Sequence, residues 1–141
     1  MGKGEGETVR NRARAAAGLL AAFLAFQAAG QQGRAGAQER VEAVLSAARS
    51  QVGVTTIYDG SYRVLAYPGG DLPAERGVCT DVLIRAFRAA GADLQRLVHE
   101  DMARAFSAYP NLWGLAGPDP NIDHRRVPNL VVAGMPDRPR P

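Results

Sequence analysis

The 141-residue chain has one cysteine, Cys79, and only two histidines, His99 and His124. A lone cysteine rules out an internal disulfide, so its thiol is buried, paired with another chain, or reactive. Three Cys/His side chains are too few for a closed structural zinc site, which takes four such ligands. The sequence has no repeats at solenoid periods, so it is not a stacked array. Strand-forming stretches are scarce, and a closed sheet cannot be built from them. No strongly apolar run reaches the ~20 residues that cross a bilayer.

What is present begins with an export pattern. Arg10, Arg12 and Arg14 precede an uncharged, Ala-rich run from Ala15 to Gly30 that includes Leu19, Leu20, Phe23, Leu24 and Phe26. Ala35-Gly36-Ala37 follows, a small-x-small site, with Ala28-Ala29-Gly30 as a second candidate. Basic start, apolar middle and small-residue exit are the three parts of a signal peptide. The expectation is a leader over residues 1–37 and a protein exported to the periplasm or beyond. A membrane anchor is the alternative, and contact with the membrane is expected only through an uncleaved leader.

The leader carries five basic and two acidic side chains, an excess equal to the +3 of the whole chain. The remainder therefore balances to zero. A nucleic-acid partner, which would need a basic surface, is not expected. No cofactor or metal is expected either.

The exported part reads as a small α+β domain over 38–130. Gln38 to Gln51 is helical in pattern, with Val41, Val44, Leu45 and Ala48 on one face. Val54 to Tyr67 is extended, broken by Asp59-Gly60 into two pieces. Pro68-Gly69-Gly70-Asp71 is a turn. Cys79 to Ala90 is a second helix, with a stripe of Val82, Leu83, Ala86, Phe87 and Ala90, ended by Gly91. Asp93 caps a third helix, in which Leu94, Leu97, Val98, Met102, Ala105 and Phe106 are spaced for burial. Loop is expected from Tyr109, with 131–141 a disordered tail.

Cys79 is the candidate nucleophile. It opens a predicted helix, where orphan N–H groups and the positive end of the dipole favour a thiolate. Its own N–H could serve an oxyanion, and Gly77 would let substrate approach the backbone. A structural thiol is the alternative. Asp81 either complements the helix N-terminus or supports the site from behind. His124, in Asp123-His124-Arg125-Arg126, is the candidate base, against a structural hydrogen-bonding role. His99 reads as a surface or hydrogen-bonded residue. Arg125 and Arg126 read as loop anchors or ion-pair formers, with anion binding as the other possibility. Tyr58, Tyr62, Tyr67, Tyr109 and Trp113 either pack at the edge of the core or line a sugar- or peptide-binding groove.

Several stretches together resemble a bacterial family, domain of unknown function 1287. These are Gly53–Asp59, Tyr67–Asp71, Gly77–Val82, Leu97–Met102 and Asn121–Leu130, in order over about Val44 to Leu130. Gly60 departs from the proline usual there. The resemblance implies an exported protein related to the papain-like, NlpC-type cysteine peptidases, many of which cut peptidoglycan peptides, with Cys79 at the motif cysteine. It implies a papain-like helical half with an incomplete antiparallel sheet. The residues after Leu130 do not resemble the family's continuation and read as a shifted frame. The expectation is thus a C-terminally truncated chain lacking the base histidine, weak or inactive against cell-wall peptides. A non-catalytic envelope-binding module or an unstable fragment is the alternative.

Overall fold

The second helix forms where the pattern puts it, over Cys79–Ala89, and its start is held by its own sequence. Val78 precedes it in extended conformation and has no side-chain oxygen to cap with. Asp81, three residues on, supplies the missing half: its carboxylate accepts the Val78 N–H at 2.6 Å. This is the reciprocal arm of a capping box, placed where an acidic group also meets the positive end of the helix dipole.

The computed structural model describes residues 34–134. The expected leader lies outside them except for its last four residues, which are helical, and the tail beyond Gly134 lies outside as well. From Val41 onward the chain forms one unit. In chain order the elements are helix α1 (34–49), strands β1 (Ile57–Tyr58) and β2 (Arg76–Gly77), helix α2 (Cys79–Ala89), helix α3 (Leu94–Ala105), two 3-10 turns (Phe106–Ala108 and Asp123–Arg125) and helix α4 (Val127–Ala133).

The α+β class holds, but the strands differ from the expected antiparallel arrangement. β1 and β2 pair in parallel, Ile57 opposite Arg76 and Tyr58 opposite Gly77. The piece after Gly60 is not a strand. Asp59 accepts the Ser61 N–H at 3.0 Å, closing an Asx turn. The carbonyls of Asp59 and Ser61 both accept from the Arg125 guanidinium, at 2.8 and 2.9 Å. This stretch is tied to Arg125 instead of to a second strand.

α3 is capped by Asp93, which accepts the Gln95 N–H at 3.2 Å. Its buried face is Gln95, Val98, Asp101, Met102 and Ala105, while Leu97 stays exposed. Val98, Met102 and Tyr109 form the core, with Phe106, Leu130, Val132 and Ala133 packed on it. α4 supplies the last three of these, where loop and tail were expected. Pro128 suggested a loop, yet a proline in the first helical turn removes no intrahelical hydrogen bond.

α2 buries Ala86 from its apolar stripe and half-buries Val82, Phe87 and Ala90, but the stripe does not account for the whole inward face. Ile84 and Ala86 are buried with Thr80 and Asp81, and Leu83 is exposed. Polar side chains win those positions because partners await them. Thr80 Oγ1 donates to the Arg125 carbonyl at 2.8 Å, and Asp81 meets the Arg125 guanidinium.

Two further polar side chains hold the loops. Arg85 donates to the Asp71 carboxylate at 3.0 Å and to the carbonyls of Leu72, Pro73 and Arg76. Gln95, fully buried, accepts the Gly70 N–H at 2.9 Å and donates to the carbonyls of Ala66 and Pro120, each at 3.0 Å. Buried backbone groups need such partners, so these side chains stand in for regular structure.

Candidate active site

Cys79 is the first residue of α2 and is exposed. It lines two grooves. One, of about 450 Å³, is walled by Tyr58, Tyr62, Trp113, Ile122, Arg126 and Val127, with Val78 and Thr80 beside the thiol. The other, of about 280 Å³, runs along Thr55, Thr56, Ile57 and Val82. Tyr58 and Val78 border both, so the thiol sits where the two meet. At the first helical position its N–H has no intrahelical carbonyl to bond, leaving a donor beside the sulfur.

Behind the cysteine stands a buried ion pair. Arg125 Nε and Nη2 lie 2.8 and 3.0 Å from the two Asp81 oxygens. The side chains are 2% and 3% exposed. Because Arg125 also holds the Asp59 and Ser61 carbonyls, one guanidinium joins the turn around Gly60, which lines the larger groove, to the start of α2. Ser61's hydroxyl and N–H hold the Asp59 carboxyl below its usual range, and Arg63 assists. Asp81 thus supports the helix start and is buried, lining neither groove. Arg125 is the ion-pair anchor, one of the readings its sequence allowed.

Gly77 acts differently from the expectation that it admits substrate. Its φ is +153°, and a Cβ there would lie 2.8 Å from the Asp81 Cβ and 2.9 Å from its Oδ2. The absent side chain makes room for the Asp81 carboxylate. Gly77→Ala should therefore destabilise the protein by about 2 kcal/mol, the scale of a strained backbone position, lowering its melting temperature by roughly 10 °C. An unchanged thermal melt would show that Asp81 can move aside freely.

The histidines stand apart from the thiol's grooves. His124 is 2% exposed and lines neither groove. Burial pushes its pKa down to about 4, although Asp81 pulls the other way, so it is a neutral ring at neutral pH. His99 packs edge-on against Tyr67, ring centroids 5.1 Å apart. Among the described residues, no group of three His, Cys, Asp or Glu side chains is gathered to hold a metal ion.

The aromatics divide. Tyr109 is core, and its hydroxyl donates to Asp101. Tyr58, Tyr62 and Trp113 are exposed along the larger groove. The Arg126 guanidinium lies 3.9 Å above the Trp113 ring, and its Nη1 donates to Asp123 at 3.0 Å. Burial raises the Asp123 pKa, opposed by the Asp119 N–H and by Arg126. Gln95 and Arg85, which shape the loops around the site, were missed from sequence. Gln95 lay three residues before Val98 on the buried face of α3, a usable hint, whereas Arg85 offered none.

Fold and site together define a small mixed helix-and-strand protein with an exposed thiol at a helix start between two grooves. The chain belongs to the family described as Domain of unknown function (DUF1287), whose model matches residues 45–133. The match runs three residues past Leu130, to the last residue of α4, so the expected departure after Leu130 does not hold for those residues. Over 88 residues the chain is 61% identical to "Uncharacterized protein YijF" of Escherichia coli (strain K12). That alignment covers 62% of this chain and 43% of the relative, so the chain spans under half of the curated protein it matches. No solved structure matches it.

Proposed function

We propose that Cys79 is the nucleophile of an acyl-transfer site, in an exported protein with the ancestry of a thiol-dependent amidase acting on cell-wall peptides. The placement of the thiol carries this reading: exposed, first in its helix, and shared by two grooves that could take the two sides of a substrate. The Cys79 sulfur attacks an acyl carbon as its proton leaves with the departing group, and a thioester forms. In this reading the N–H of Cys79, which has no intrahelical carbonyl to bond, assists the oxyanion. Water then cleaves the thioester.

An amide needs its leaving nitrogen protonated, and neither histidine lines the grooves. The 141-residue chain is therefore a weak or inert amidase that still acylates from activated esters. The test uses the p-nitrophenyl ester of a short acetylated peptide. Stoichiometric acylation is expected on the order of a hundredfold faster than acylation of N-acetylcysteine, as positioning and a fixed donor allow. Cys79→Ser abolishes it. A rate equal to that of the free thiol refutes the proposal. Efficient Cys79-dependent cleavage of a cell-wall peptide amide refutes the claim of weakness.

A further inference from the structure

Among the described residues that line the larger groove, the charged side chains are Arg125 and Arg126. Arg125 borders it, but its guanidinium is buried and turned to Asp81, Ser61 and Asp59. Arg126 is different. Trp113 supports its flat face, and Asp123, itself 1% exposed, holds Nη1 from one side. The Nε and Nη2 donors have no hydrogen-bond partner among the described residues. Among the described residues, no carboxylate lines this groove. A guanidinium fixed on two sides loses little freedom when its remaining edge is engaged, and that edge matches a carboxylate.

We propose that Arg126 is a specificity determinant that recognises a carboxylate on the peptide occupying the groove, with the flanking chain lying along Tyr58 and Tyr62 toward Cys79. The substrate class is then an acidic peptide, its carboxylate coming from a side chain or from a free C-terminus. This deepens the acyl-transfer reading and rests on it only for what happens after binding.

The test reads binding alone. Trp113 is the only tryptophan of the chain, so its fluorescence reports directly on the ring beneath Arg126. The full chain carrying Cys79→Ser is titrated with three probes: acetyl-Ala-Glu-Ala amide, acetyl-Ala-Gln-Ala amide, and acetyl-Ala-Gln-Ala with a free C-terminus. One carboxylate-bearing probe is expected to bind about tenfold tighter than the neutral one, as a charge-assisted pair supplies. Which of the two does so identifies the source of the carboxylate.

Arg126→Gln should erase the preference, whatever it does to the affinity common to all three probes, and a cooperative thermal melt recorded beside the titration reports that the variant is folded. Arg126→Lys, which keeps the charge but loses the fork, should retain only part of it. Equal affinity for all three probes, no binding at all, or a preference that survives Arg126→Gln would overturn the proposal. Selective binding without accelerated acylation of the unmodified chain would sink the acyl-transfer reading and leave this one standing.

Discussion

Replacing Arg125 with methionine is expected to lower stability by about 3–5 kcal/mol, the usual result of removing one partner of a buried ion pair. Arg125 and Asp81 are almost fully enclosed, so the variant leaves a carboxylate without its counter-charge. It also leaves the Asp59 and Ser61 carbonyls without the donors they now have. Against a typical domain stability of 5–15 kcal/mol this is a large fraction, and the melting temperature should fall by about 15–30 °C. Adding Asp81→Asn should restore part of the loss, because much of it is the cost of a stranded charge. Thermal melts of the two variants beside the parent decide the matter. A loss under about 1 kcal/mol in Arg125→Met would mean that the pair does not lock the site.

Acidification should weaken the protein through His124. Its folded pKa is near 4 and its ordinary value is 6.5, with burial as the main cause. Between these values the unfolded chain binds a proton that the folded chain refuses, so stability is full above pH 6.5 and falls as pH drops toward 4. The shift corresponds to about 3 kcal/mol across that window. Asp123 works against it: its raised pKa lets the folded state hold a proton more readily, which adds stability as pH falls through its range. Urea midpoints at pH 7, 6, 5 and 4 should decline, and His124→Asn should flatten the decline. A variant with the parent's slope would place the acid sensitivity elsewhere.

Local signals were legible where one element's own residues decide its form. α2 was expected from Cys79 to Ala90 and runs to Ala89. Asp93 caps α3 as expected, and Gly91, just past α2, takes the positive φ expected of a helix stop. Failures occur where distant residues decide. The parallel pairing of β1 with β2 joins segments on either side of a long loop, and the extended piece after Gly60 is diverted by Arg125. The buried faces of α2 and α3 include Asp81 and Gln95, whose burial makes sense only once their partners are in place. No apolar-periodicity argument could have chosen them over Leu83 and Leu97. At the site, the place of Cys79 at a helix start was readable from Gly77-Val78-Cys79, whereas its exposure was not, since a buried structural thiol fitted the same pattern. The grooves were not, since they assemble from residues 55–62, 77–82 and 113–127.

The Arg125 guanidinium also bears on the order in which the site can come into being. Its contacts reach back 44 residues to Asp81, 64 to Ser61 and 66 to Asp59. A chain emerging from its N-terminus offers Cys79 long before residue 125 arrives to draw the 59–61 turn against α2. Such distant closures come late in folding, after the local helices. A nascent chain stopped before Asp123 would thus carry a bare thiol on a fraying helix, with the groove beside it still unmade.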